Sequence, residues 1–568
     1  MLSDKRDWSY MRRGFKITGY VLGALLVLIL ISLAYMKWGM APELPHPSNL
    51  SALKLERQKL GDNFYKVGNC WLRKSNSGLW EEYLEGEPFE RGVISGKLTK
   101  ELMYSQEVAF TDQIHRLVPN NRYLGFLALF TRIFNRNLYI PEENKLEIYG
   151  ESFSASDDFN YISNAFDRML NYHAAHDIGH AMQNFAMVGC TSFAAWDLRT
   201  TDSGMLIGRN CDFSLGDKFA ENKIIYFCNP KQGYKFAMVT WAGMQGCLSG
   251  MNDKGLTVTL NAAKSDFPTG SAMPIAVLAR EILQYAGNID EAYAIAKKRK
   301  TFVSETLMIG SAADHKAVLI EKSPAHIALY YSGKNYLLCT NHYQSDTFKN
   351  DKNNIDNIAT SASMYRYNRL QELVDQYPQL DYKNAAIILR DQRGQKGLDI
   401  GIGNEKALNQ LICHHSIIFQ PEKLKFWVST GPYQLGEFVC YDLNKVFAEA
   451  HNLDTNHEIY EADLTIPADT FLQTEAWKGF LHYRDCKAEI KKAINEKEAI
   501  ENESAFEAGM INADPQYWET YFWLGCYHKS RKNNAKAIAY FRIALSKEVN
   551  DQSEVADMEK ELKQLQAK

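Results

Sequence analysis

The chain sets a thiol, Cys190, directly after a glycine, Gly189, at a point where helix-patterned sequence gives way to strand-patterned sequence. A thiol attacks an amide carbonyl only as its thiolate, and a free cysteine titrates near 8.5, so Cys190 needs a base or a positive surrounding. An N-terminal cysteine carries its own base. Its α-amine, with a pKa of about 7.7 to 8.0, takes the thiol proton and later returns it to a leaving amine. An internal Cys190 lacks that amine, and cutting Gly189–Cys190 supplies it. The expected route is thiol attack on the preceding carbonyl, then hydrolysis of the resulting ester. Polar segments follow in a fixed order: Gly208-Arg209-Asn210-Cys211-Asp212-Phe213, then Gly250 to Leu256 and Asn261, then Thr340-Asn341-His342-Tyr343.

This ordered set resembles the cysteine-nucleophile amide hydrolases of the choloylglycine hydrolase superfamily, most closely the self-cleaving branch that includes acyl-coenzyme A:6-aminopenicillanic acid acyltransferase. The resemblance runs from Gly189 to Leu443 and takes in His415 to Phe419, Trp427 to Ser429 and Gly431-Pro432. It implies an α+β fold, a four-layer αββα sandwich of the Ntn-hydrolase (N-terminal-nucleophile) type. It also implies that Arg209 sits beside the nucleophile and lowers its pKa, and that Asp212 hydrogen-bonds the new α-ammonium. Asn261 and Asn341 match positions that stabilise the oxyanion and orient the scissile amide. Arg366, in Ser363-Met364-Tyr365-Arg366, is the candidate for a further, substrate-binding arginine. Arg209 and Asp212 are three apart, so a turn or bulge is needed for both to point the same way. The implied reaction is a Cys190 thioester formed from a linear amide or acyl thioester and resolved by water or an amine.

The elements that must position these residues are legible as short apolar or alternating runs between turn residues. Thr191 to Leu198 and Met205 to Phe213 read as a hairpin around the turn Thr200 to Gly204. Further strands are expected at Phe236 to Ala242, Leu256 to Ala262, Leu307 to Ser311, Ala317 to Glu321, Tyr336 to Thr340, Ser416 to Phe419, Phe426 to Ser429 and Glu437 to Tyr441. Helices are expected at Pro274 to Ala286, Asp290 to Lys300, Ser363 to Gln376 and Tyr382 to Asp391. Residues 190–465 thus form the catalytic domain. Residues 50–189 read as a mainly helical pro-segment, with few strand signals. From 466 to 568 the chain is helical again, and Leu524, Gly525, Ala537, Phe541 and Ala544 fall at tetratricopeptide offsets. Trp477 to Pro515 would supply a degenerate neighbouring unit. A groove of that kind suits a protein partner or self-association.

At 568 residues the chain is long enough for about three or four units. Its net charge of -4 offers no polybasic surface, which argues against nucleic acid as a partner. Residues 17–36 carry no charge, and twenty helical residues span roughly 30 Å, a bilayer core. Lys5, Arg6, Arg12, Arg13 and Lys16 precede this anchor in a basic tail, residues 1–16, so the N-terminus is expected in the cytoplasm and the catalytic domain on the exported side. The proline-rich residues 37–49 read as an extended linker. An anchor suggests a lipid-like acyl substrate. The ten cysteines define no disulfide framework.

Two other readings compete. His173, His176 and His180 share one helix face and could bind zinc, giving a metal-dependent hydrolase. Alternatively the chain is an anchored interaction protein whose enzyme-like domain is inert. The glycine-rich stretch Gly243 to Gly255 lacks a phosphate-loop lysine, and no cofactor is expected.

Overall fold

The computed structural model describes residues 4–117, 138–182, 188–213, 216–266, 271–454 and 457–566, with isolated residues between 120 and 131. Helix α1 (Asp4–Ala34) is followed by a single wider turn to Gly39. Tyr20–Gly39 is long and apolar enough to cross a membrane, with a mean hydropathy of 2.1. Val21 to Ile31 are about half exposed along it.

The mainly helical expectation for residues 50–189 does not hold at their start. Four strands, β1 (Gln58–Gly61), β2 (Phe64–Val67), β3 (Cys70–Lys74) and β4 (Trp80–Gly86), form a meander there. They are short, and charges inside them hide the apolar pattern. Arg73 and Glu81 are both buried and pair with each other at 2.7 Å across β3 and β4. Helices α2 (Pro88–Leu98), α3 (Lys100–Leu117), α4 (Glu142–Ser152) and α5 (Ala165–Met182) follow. Within the segment expected to be helical, half of the residues from Tyr123 to Phe134 lie outside the described residues.

Beyond α5 comes the predicted hairpin, β5 (Val188–Asp197) and β6 (Ser203–Phe213). Then come β7 (Ile224–Pro230), β8 (Phe236–Thr240), β9 (Ser249–Asn252) and β10 (Leu256–Ala262), two helices, α6 (Ile275–Tyr285) and α7 (Ile289–Lys298), and four strands, β11 (Glu305–Ser311), β12 (Lys316–Lys322), β13 (Ile327–Tyr330) and β14 (Tyr336–Cys339). Helices α8 (Lys352–Thr360), α9 (Ser363–Gln376) and α10 (Tyr382–Leu389) precede β15 (Cys413–Gln420), β16 (Lys425–Ser429), β17 (Phe438–Asp442) and β18 (Glu461–Ile466).

These strands make two sheets. The larger runs β1-β2-β3-β4-β7-β8-β9-β10-β11-β12-β13, and the smaller runs β14-β5-β6-β15-β16-β17-β18. β4 pairs parallel with β7, so the N-terminal meander extends the larger sheet instead of standing apart as a helical pro-domain. Ala194, Ile207, Ile417 and Val428 of the smaller sheet meet Ile225, Val239, Met308 and Leu319 of the larger in one apolar core. Ile94, Ile148, Leu278 and Ile282 cover the outer face of the larger sheet. Leu370, Val374, Ile388 and Leu389 cover that of the smaller. Burying each such side chain contributes about 1.5 to 3 kcal/mol, which holds the helix, sheet, sheet, helix order together.

The C-terminal helices α11 (Glu475–Glu496), α12 (Glu503–Ala513), α13 (Trp518–Ser530), α14 (Asn534–Leu545) and α15 (Gln552–Gln566) form an array with its own core. Leu524, Ala537, Phe541 and Ala544 are fully buried between α13 and α14. A Cβ at Gly525 would lie 2.7 Å from the Phe541 ring, so only glycine lets those two helices close.

Candidate active site

Cys190 is the third residue of β5, directly opposite Cys211 of β6. Its backbone N–H donates to Asn341 Oδ1 at 3.1 Å. Its Sγ lies 3.5 Å from Arg209 Nη2. Arg209 is 1% exposed and held on several sides: Nη1 donates to Ser249 Oγ at 2.8 Å and contacts His415 Nε2 at 3.1 Å, while Nη2 also donates to the Leu260 carbonyl. Burial works against the charge of Arg209, but the thiols of Cys211, Cys190 and Cys413 raise its pKa above the usual value. A permanent cation therefore sits on the sulfur. The Cys211 thiol is pushed well up, first by its hydrogen bond to Cys190 and then by burial. It thus stays protonated beside its neighbour.

No bulge interrupts β6 at this point. Its register against β5 is continuous from Leu206 to Phe213, and the irregularity lies in β15, between Cys413 and His415. Strand alternation therefore puts Arg209 and Cys211 on the face toward the larger sheet and Asp212 on the other. This departs from the bulge expected from their spacing. The two residues flank Cys190 from opposite faces because the strand carrying it lies beside them. Asp212 is the ladder partner of Gly189, is fully buried, and has no hydrogen-bond partner on either carboxylate oxygen. Desolvation, followed by the Cys190 thiol, raises its pKa well above 3.8, with Arg366 and Arg209 acting in the opposite sense.

Arg366, on α9, donates from Nη1 to the Cys190 carbonyl at 2.7 Å and from Nη2 to Asn341 Oδ1 at 2.6 Å. It grips the backbone of Cys190 itself. Asn341 is fixed further by its Nδ2 on the Ala262 carbonyl at 2.9 Å and by Ser363 Oγ, which accepts its N–H at 2.8 Å. Asn261 lies one step away. Its Nδ2 donates to the Thr340 carbonyl at 3.1 Å and its Oδ1 accepts from Ser192 Oγ at 2.7 Å, so it ties β5 to the Asn341 turn.

The structure thus gathers Gly189, Cys190, Arg209, Asp212, Asn261, Asn341 and Arg366 into one buried cluster. Ser249 and Gln410 join them without having been singled out in the sequence. Ser249 is one serine among many, on a four-residue strand. Gln410 lies in a loop distant in sequence. His415 was within reach, since it heads the segment Ser416 to Phe419.

The histidine helix is different. His173 Nδ1 contacts the Met169 carbonyl at 2.8 Å, and its Nε2 accepts the Gln245 N–H at 2.8 Å. Both nitrogens are in use, burial lowers the pKa to about 4, and no lone pair faces a metal. The side chains of His176 and His180 lie outside the described residues. Glu503, Glu507 and His528 come within metal-binding distance of one another, but Lys536 Nζ already sits 2.8 Å from Glu507.

At the end of the smaller sheet where β5 begins, a cleft of about 430 Å³ is lined by Phe213, Gln410 and His414 on one side and by Phe480, Tyr483 and Lys487 of α11 on the other. The site is a buried thiol between two sheets, beside an aromatic cleft.

The model of the acyl-coenzyme A:6-aminopenicillanic acid acyl-transferase family matches residues 199–432. That stretch begins after Cys190 and contains Arg209, Asp212, Asn261, Asn341 and Arg366. Among relatives, an uncharacterized protein of Archaeoglobus fulgidus is 26% identical over 47% of this chain and 47% of its own length. Protein dcd1B of Dictyostelium discoideum is 24% identical over 42% of this chain and 50% of its own. The chain spans about half the length of the curated relatives it matches. Solved structures that align with it include a Caenorhabditis elegans ortholog of N-acylethanolamine-hydrolyzing acid amidase, at 16% identity, covering 41% of this chain and 93% of that one, with a TM-score of 0.29. A conjugated bile acid hydrolase variant from Clostridium perfringens aligns at 14% identity over 45% of this chain and 93% of its own, with a TM-score of 0.30.

Proposed function

We propose that this protein is a self-cleaving cysteine amidohydrolase or acyltransferase in which Cys190 first cuts its own chain after Gly189 and then carries acyl groups as a thioester. The observation that carries this reading is that both reactive atoms of Cys190 are held at once, its sulfur by Arg209 and its nitrogen by Asn341. Before cleavage, Asn341 orients the scissile N–H. After it, the same nitrogen is a free amine, and the unpartnered Asp212 carboxyl opposite Gly189 is available to bind it as an ammonium. The amine then serves as base for the thiol. A linear amide or acyl thioester acylates the sulfur, its leaving amine or thiol departs with a proton, and water or a second amine resolves the thioester.

Mass spectrometry of the purified chain tests this directly. Wild type gives two fragments parted between Gly189 and Cys190, Cys190→Ala gives one, and an uncut but active wild type overturns the reading.

Helix α1 serves in this proposal as an uncleaved anchor with its N-terminus in the cytoplasm, which favours a lipid-like acyl substrate. Equal turnover of short soluble amides and long-chain ones by the detergent-solubilised protein would remove that preference. The C-terminal array is proposed as a tetratricopeptide-like unit.

A further inference from the structure

We infer that Gln410 is a catalytic residue of self-cleavage, donating from its carboxamide to the oxyanion that forms on the Gly189 carbonyl. The inference rests on the self-cleavage reading and adds to it a residue outside the set expected from the family.

Gln410 Nε2 lies 3.5 Å from the Gly189 carbonyl oxygen, the atom that takes the charge when Cys190 attacks. A hydrogen bond that is long in the ground state and shortens toward the oxyanion favours the transition state over the resting peptide. Contact with Gly189 is close all along the carboxamide. A Cβ at residue 189 would lie 2.4 Å from Nε2 and 2.6 Å from Oε1, so the donor reaches the scissile carbonyl only because no side chain precedes Cys190. Gln410 itself is 3% exposed, which keeps water from competing for the oxygen.

A second feature points the same way. Leu411, the next residue, has φ +52, a left-handed conformation that a leucine adopts only when its surroundings impose it. Those surroundings come from the C-terminal array. Leu411 packs with Leu435 and with Phe480 of α11. The loop leading to it is fastened to the same array: Ile402 N–H donates to Asp514 at 2.8 Å, Lys406 Nζ to Glu548 at 2.8 Å, and Tyr517 Oη to the Gly403 carbonyl at 3.3 Å. The array thus sets Gln410 against the bond to be cut.

In the step itself, Cys190 Sγ bonds to the Gly189 carbon and the carbonyl electron pair moves to oxygen, where Gln410 receives it. The thiol proton passes to the Cys190 nitrogen as the carbon–nitrogen bond breaks. Water then hydrolyses the thioester, returning the thiol and leaving a Gly189 carboxylate.

The test follows fragment formation in full-length protein after a pulse of synthesis, with thermal melting of each variant. Gln410→Ala and Gln410→Glu should each slow fragmentation about 100-fold, the usual loss for one oxyanion donor. The glutamate variant keeps the shape of the side chain, and it carries the test should the alanine variant fail to fold. Fragmentation at the wild-type rate in either folded variant overturns the role of Gln410 while leaving self-cleavage intact. A wild type that never fragments fails the parent reading instead.

Discussion

The guanidinium of Arg209 lies 3.5 Å from the Cys190 sulfur, and its remaining hydrogen bonds go to Ser249, His415 and the Leu260 carbonyl. The cation beside the thiol is therefore fixed from both sheets, by Ser249 and Leu260 of the larger and by His415 of the smaller, which also carries Cys190. Replacing Arg209 should be felt in both chemistry and stability. Arg209→Met should slow alkylation of Cys190 by iodoacetamide at neutral pH at least about tenfold, because the thiolate loses its counter-charge. It should also cost about 1 to 3 kcal/mol in urea unfolding, as the Leu260 carbonyl is left buried without that donor.

Asn341 and Asn261 should separate. Asn341 Oδ1 is the acceptor shared by the Cys190 N–H and Arg366, so Asn341→Ala should slow fragmentation about 100-fold or more, read by gel densitometry. Asn261 ties Ser192 to Thr340, and Asn261→Ala should lower stability by about 1 to 3 kcal/mol in the unmatured Cys190→Ala background. Equal slowing of fragmentation by the two substitutions would contradict this division.

Acidic groups inside the fold set its pH dependence. Burial raises Glu82 and Glu151 from 4.5 to about 8. A carboxyl raised on folding contributes stability that is fully present below its unfolded pKa and is lost as pH rises through the folded one. The contribution of these two should thus fall progressively between pH 4.5 and about 8. Glu82→Gln should be little different from wild type near pH 4.5 and relatively more stable at pH 8 in urea titrations. A constant difference across that window would refute the assignment.

Asp212 follows the same sign, since burial raises it well above 3.8. Asp212→Asn should gain stability relative to wild type as pH rises from about 4 while losing self-cleavage, a gain in folding set against a loss in chemistry. Unfolding curves and fragment assays on the same preparations check both halves.

The C-terminal array should be inseparable from the catalytic core. Gly401 has φ +85, and a Cβ there would lie 2.4 Å from the Tyr517 backbone. Gly401→Ala should therefore loosen the docked array, exposing α11 to limited proteolysis and lowering the melting temperature by several degrees, for a cost of about 1 to 3 kcal/mol.

The hairpin carrying Cys190, Arg209 and Asp212 was legible in the sequence because its alternation is local and its turn residues punctuate it. The same holds for α6, α9 and most strands after residue 230. The meander β1 to β4 was not, because Arg73, Glu81 and Glu82 are charged residues at buried positions, and only their partners in space explain why they are tolerated there. The π-wide turn at Tyr35 to Gly39 likewise leaves no pattern that hydropathy can reveal.

Within the site, the sequence by itself supplied a thiol after a glycine and an ordered set of polar segments, and it was the resemblance of that set to a known family that implied an arginine, an aspartate and two asparagines beside the sulfur. Which nitrogen touches which oxygen was decided only by the tertiary structure. The β15 bulge, the crossing of Arg366 from α9, and Gln410 arriving on a loop held by the C-terminal helices all depend on contacts between residues up to 221 positions apart. Such contacts exist only after the chain has closed on itself, so no local pattern could have announced them.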